Sequence, residues 1–138
     1  MTVLHSEAAS AYSGSEANVL SRDELRECFE KESRLQDYEN IIAEEEEAID
    51  AELREINRRE GEIERERLQV DVYSQSSVDK FNNMLESHSE RVDYYNEVLL
   101  KEYNELVIRA QSLQNEFNHY CGGKQYYIED YEAVSSQF

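Results

Sequence analysis

The side chains best suited to chemistry are few and scattered along the chain. His119 stands two residues before Cys121, and Cys28 is the other cysteine. A zinc ion takes four ligands in a closed tetrahedron, and these three residues lack both a fourth partner and a recognisable spacing. A packed helix end is therefore expected there, and no metal. Glu44, Glu45, Glu46 and Glu47 form a run of carboxylates. Calcium needs oxygens converging from a bent loop, whereas successive side chains on a helix point around its cylinder. The run is expected to be a solvated acidic surface. His88 falls on an apolar helical stripe, where it is expected at the edge of the seam with its ring tip wet; the alternative is a pH switch, in which protonation sets a charge against Ile63 and loosens the packing.

The sequence holds no Gly-rich phosphate loop, His-Glu-x-x-His or Cys-x-x-Cys. Each of these motifs places donors or ligands at a spacing that the chemistry demands. Without them, neither an enzyme nor a bound cofactor is expected.

Tyrosine is the unusual abundance, with 10 in the chain. Tyr94, Tyr95, Tyr103, Tyr120, Tyr126, Tyr127 and Tyr131 crowd the second half. Tyr buries a large ring while keeping a polar end, so it suits interfaces as well as helix seams. The stretch Tyr126-Tyr127-Ile128-Glu129-Asp130-Tyr131-Glu132 reads as an acidic tyrosine-kinase target. Ser136-Gln137-Phe138 fits a loose pattern for carboxylate capture.

The elements that must position these groups are helical. The chain has no Pro and only 4 Gly among 138 residues, so the main helix breakers are missing. Ser21-Arg-Asp-Glu24 forms a capping box: the serine hydroxyl takes an orphan amide and the glutamate reaches back to the amide of Ser21. Cys28, Leu35, Ile42, Ile49, Ile56, Ile63 and Val70 then recur every seven residues. A straight helix repeats every 3.6 residues, so a sustained heptad needs a partner helix wound with it. The companion position, three residues before each of these, is apolar at Leu25 and Leu53 but charged at Glu32, Glu39, Glu46, Glu60 and Arg67. The stripe is thus narrow.

The heptad predicts a first helix over 21–73, a polar turn over 74–77 with N-cap candidates Ser76 and Ser77, and a second helix over 78–121. The second stripe runs through Phe81, Leu85, His88, Val92, Tyr95, Leu99, Tyr103, Leu106, Ala110, Leu113, Phe117 and Tyr120. An extra four-residue step from Leu99 to Tyr103 resembles a stutter, which locally unwinds a coiled coil. Gly122-Gly123 ends the helix. A short turn between long helices makes them antiparallel neighbours. The expected fold is all-α, a long antiparallel helical hairpin, coiled-coil-like, with short flanking segments. Residues paired across it should sum to about 151, which brings Cys28 close to Cys121.

Residues 1–20 read as a flexible Ser-rich tail with a helical turn near Val19 and Leu20. In 122–138, Tyr127, Ile128, Tyr131 and Val134 share one face of a short helix, which either docks on the hairpin or is presented to a partner.

The formal net charge is -18, from 32 acidic against 14 basic residues. Such a chain repels phosphate backbones and anionic bilayers, so direct nucleic-acid or membrane binding is not expected. Basic protein partners are favoured. No apolar run approaches the roughly 20 residues that span a bilayer. The first residues lack the basic and apolar regions of a signal peptide. With two cysteines and no disulfide framework, the cytoplasm is the expected location.

Leu100, Val107 and Ile108 lie off the second stripe, and Ile41 and Leu68 off the first. Together with Tyr94, Tyr127, Ile128 and Tyr131 they are candidate partner-binding residues, since a two-helix hairpin leaves them uncovered. The function expected is a protein-protein interaction module, an adaptor or assembly subunit forming a homodimer. One alternative is an acidic nucleic-acid mimic that blocks a basic protein, for example an anti-defence protein of a virus or plasmid. Another, by architecture alone, is a secretion chaperone or export-stalk protein.

Overall fold

The computed structural model describes residues 19–138, and 9–11 as backbone alone. The expected flexible tail lies outside the described residues over 1–8 and 12–18. The fold is an all-α helical hairpin. In chain order its elements are β1 (Ala9–Ala11), β2 (Val19–Leu20), α1 (Arg22–Arg67), α2 (Gln75–Tyr94), a π-helical turn (Tyr95–Leu99), α3 (Leu100–Cys121), β3 (Lys124–Tyr126) and α4 (Ile128–Ser135). Two compact units divide the chain, one of residues 1–42 with 106–138 and the other of residues 43–105. Helix α1 contributes to both.

In the first unit, α1 opens with the capping box anticipated from sequence. The Glu24 amide donates to Ser21 Oγ at 3.2 Å, and the Ser21 amide donates to Glu24 Oε1 at 3.3 Å. Asp23 and Glu24 also suit the positive end of the helix dipole. Val19 and Leu20 form a strand, not a helical turn. Both β2 and β1 pair in parallel with β3, giving a sheet of order β1-β3-β2. The backbone at 124–126 is extended because Gly122-Gly123 has ended α3, with Gly123 at φ 67° in the left-handed region.

The core of this unit joins Leu20, Leu25, Cys28 and Leu35 to Leu113, Phe117, Cys121 and Val134, with Phe29, Tyr38 and Tyr126 packed against it. Cys28 and Cys121 are bonded as a cystine with Cα atoms 5.9 Å apart. Their residue numbers sum to 149, two short of the register anticipated.

In the second unit, α1 ends at Arg67, six residues before the boundary anticipated. Asp71 is the reason. Its carboxylate accepts the Tyr73 amide at 3.0 Å and its carbonyl accepts the Ser74 amide at 3.0 Å, a local alternative to helical bonding. The flanking Val70 and Val72 are β-branched and favour helix little. Ser74, not Ser76 or Ser77, is the N-cap of α2, its hydroxyl accepting the Ser77 amide at 3.3 Å.

The π-turn begins at Tyr95, immediately before the extra step read from Leu99 to Tyr103. A π-turn holds one residue more than an α-turn, so it absorbs the slip and returns the stripe to its partner.

Candidate interaction surfaces

The seam of α1 is narrower than its heptad alone implies, and its second row is polar. Leu35, Ile42, Ile56 and Ile63 are buried, while Ile49 and Val70 are half-buried. The residues three after Leu35, Ile42, Ile49, Ile56 and Ile63, namely Tyr38, Glu45, Glu52, Arg59 and Glu66, are half-buried too. Leu53, placed on the seam by sequence, is 41% exposed. The two rows beside a seam lie on opposite flanks, and here charged side chains lay their methylenes along the partner helix. Glu52 meets Arg91 across the helices, with Nη2 donating to Oε2 at 3.1 Å and Nε 2.6 Å from Oε1. The Nε approach is angled too poorly to be a hydrogen bond.

On the facing stripe Phe81, Val92, Tyr95, Leu99, Tyr103 and Leu106 are half-buried, and Leu113 and Phe117 are buried. Leu85 is 37% exposed, a correction to its expected place on the seam. Tyr120 is likewise exposed. Val78, Met84, Arg91 and Val98 turn inward instead. Steps of three, from Phe81 to Met84 and from His88 to Arg91, carry the same face, so the signal was present but shared between adjacent positions.

His88 lines a shallow cleft of about 360 Å³ with Arg59, Ile63, Lys80 and Met84. Its Nε2 lies 3.5 Å from Glu60 Oε1, while its Nδ1 is buried without a protein partner.

The acidic run is exposed at Glu44, Glu46 and Glu47 and half-buried at Glu45. Glu46 accepts a 2.6 Å hydrogen bond from the Tyr103 hydroxyl, which raises the Tyr103 pKa above its ordinary value. Glu55 accepts from Arg58 at 2.7 Å and from Arg59 at 3.1 Å. Those hydrogen bonds hold its carboxyl down at about 2. Glu32 has the opposite fate in the first unit. It lines a groove of about 320 Å³ with Phe29, Leu35 and Phe138, where burial raises its pKa.

The C-terminal segment is docked. Val134 is fully buried, Arg22 pairs with Asp130 at 2.9 Å, and Arg26 Nε donates to Gln137 at 3.2 Å. Phe29 packs between the rings of Tyr131 and Phe138, each centroid 5.5 Å away. Tyr127 and Ile128 do not join the docked face, being 38% and 57% exposed, and the Tyr131 ring is 41% exposed against Tyr126. Of the remaining partner-binding candidates, Ile108 and Tyr94 are 64% and 52% exposed, whereas Leu100 and Val107 are half-buried. Ile41 is exposed at 43%.

The cysteines are engaged with each other, so neither offers a thiolate beside His119. His119 instead meets the Tyr120 ring edge-on at 4.9 Å. Among the described residues, no group of His, Cys, Asp and Glu gathers to hold a metal ion. No described helix is long and apolar enough to cross a membrane.

Sequence reasoning placed Leu68 off the seam but missed the two apolar residues exposed beside it, Val72 and Tyr73. Leu68, Val72 and Tyr73 in the turn after α1 are 88%, 72% and 96% exposed. Their signal was an apolar-rich connection, Leu-Gln-Val-Asp-Val-Tyr, which the heptad reading absorbed into the helix. Compared with models of protein families, with curated proteins and with solved structures, the chain matches none.

Proposed function

We propose that the chain is a non-enzymatic interaction module, an adaptor or assembly subunit that docks a protein partner on helical surfaces. One observation carries this reading. Helix α2 and the π-turn after it present Val78, Phe81, Met84, Val92, Tyr95, Val98 and Leu99 toward a single facing helix, yet bury none of them fully. Two helices enclose one row of side chains and leave its flanks wet, so a further helix laid alongside gains apolar area.

A second copy of the chain is one such cover. Residues 43–105 carry 19 carboxylates against 8 cations, and that balance favours a basic partner over two like faces meeting. The nucleic-acid mimic draws less support. Glu52, Glu55, Glu62 and Glu64 are paired within the chain and do not form free rows of charge. The cystine favours an oxidising compartment over the cytoplasm, where thiols are kept reduced. Alkylation of the natively isolated protein, before and after reduction, tests that point.

The test of the module is binding by surface variants. Ile108→Glu and Tyr94→Glu alter exposed positions and leave the fold in place. Partner retention should fall at least about tenfold with either variant, because a desolvated contact is replaced by an unpaired charge. Retention of wild-type affinity by both counts against the module. Loss of all binding by 0.5 M salt with wild-type apolar residues in place would favour the acidic mimic.

A further inference from the structure

We infer that the turn between α1 and α2 is a docking knob: Leu68, Val72 and Tyr73 enter an apolar pocket on a partner protein, and an Arg or Lys at its rim meets Asp71. This rests on the interaction-module reading and names a second surface for it.

Turns ordinarily expose polar residues and bury or omit large apolar ones. Here the arrangement is reversed. The polar groups face one another: the Asp71 amide donates to Ser77 Oγ at 3.0 Å, the Tyr73 amide donates to Asp71 Oδ1 at 3.0 Å, and the Ser77 amide donates to Ser74 Oγ at 3.3 Å. The Ser74 and Val78 amides close the turn on backbone carbonyls at 3.0 Å. Val70 is half-buried at the end of the seam, whereas Leu68, Val72 and Tyr73 on either side of it are exposed. The backbone is therefore held before any partner arrives. Three apolar side chains on a fixed turn lose little conformational freedom on binding.

The chemistry of the turn selects its occupant. The three side chains project outward, so the complement is concave, and the same turn on a second copy supplies no concavity. Asp71 lies between Val70 and Val72 and is exposed, while in the last turn of α1 Glu64 pairs with Arg67. A bilayer that took up Val72 and Tyr73 would draw the Asp71 carboxylate beside them toward lipid, at a cost that anionic headgroups increase. A protein pocket can instead place a cation at its rim. Among the described residues, only Oδ1 of the Asp71 carboxylate is engaged by the chain's own donors. That leaves one oxygen for the rim cation.

The experiment uses the full chain with p-benzoylphenylalanine at position 73, irradiated in extract of the source organism, and maps the cross-linked peptide. The captured protein is then purified and titrated against wild type, Leu68→Ser/Tyr73→Ser, Asp71→Asn and Ile108→Glu. Circular dichroism melts confirm that each variant folds. The expected result is a cross-link inside an apolar pocket bordered by Arg or Lys. With it should come at least a tenfold loss for the double variant and about a fivefold loss for Asp71→Asn. Unchanged affinity in the double variant overturns the inference. So does a cross-link to a second copy, or flotation with phosphatidylcholine vesicles that the double variant abolishes. Binding lost in Ile108→Glu but kept by the turn variants overturns the knob and leaves the module standing. A wild-type chain that retains no protein overturns both.

Discussion

The two units are built on the same helix and differ sharply in what they bury. Of the twelve buried apolar residues among those described, ten belong to the unit of residues 1–42 and 106–138, and only Ile56 and Ile63 to the unit of residues 43–105. Heptad quality does not explain this, since Ile49, Ile56 and Ile63 are better seam residues than Cys28 and Leu35. What differs is the third element. In the first unit β2, β3 and α4 cover the helix pair, and Leu20, Val134 and Phe117 close over a cystine. In the second unit no described element lies beyond the two helices and their turn. A row of side chains between two cylinders stays open on its flanks, however apolar that row is.

The largest test of this contrast is removal of the cystine. Cys28→Ser with Cys121→Ser frees a loop closed across 93 residues, which chain entropy values at about 4–5 kcal/mol. Hydrogen exchange should quicken in Leu113–Cys121 and change little in Gln75–Tyr94. Equal quickening in both would show one cooperative body and break the comparison.

Truncation of matched aromatic residues comes next. Phe117→Ala should cost about 3–5 kcal/mol because Phe117 is 3% exposed in a closed core. Phe81→Ala, at a half-buried seam position, should cost under about 2 kcal/mol. Urea titrations of the two variants give the difference directly.

Gly61→Ala runs the other way. An added Cβ meets only the Arg65 guanidinium at 3.6 Å, so alanine gains about 1 kcal/mol of helix propensity without a clash. A melting temperature that rises by several degrees would sharpen the view that the second unit is limited by helix stability. A fall would mean that Gly61 faces a contact in the assembled state.

The smallest effects concern pH and have opposite signs in the two units. The Glu55 carboxyl sits at about 2 in the folded chain, against 4.5 ordinarily. Its contribution is present above pH 4.5 and is lost as pH falls from 4.5 toward 2. Glu32 is raised by burial, so its contribution is full below pH 4.5 and is lost as pH rises through its folded value. At pH 7, Glu55→Gln should therefore lower the melting temperature and Glu32→Gln should raise it. Both differences should shrink on acidification, below pH 4.5 for Glu32→Gln and toward pH 2 for Glu55→Gln.

The helices, their antiparallel pairing, the capping box at Ser21 and the slip near Leu99 were legible in the sequence. Each follows from periodicity or from contacts within a few residues, and such interactions act on the chain before it folds. Cys28 and Cys121 could be placed near each other by register, while their bonding could not be inferred from spacing. The strand at Lys124–Tyr126, the choice of Met84 over Leu85 for the seam, and the exposure of Val72 and Tyr73 were decided by tertiary structure. A three-residue strand carries no period of its own and forms only where β1 and β2 offer partners. Neighbouring apolar residues compete for one seam, and the settled helix rotation decides between them. Where α1 stops is set by short-range bonds of Asp71 and Ser74, but which side chains of the turn then meet the seam and which face solvent depends on how the two helices pack.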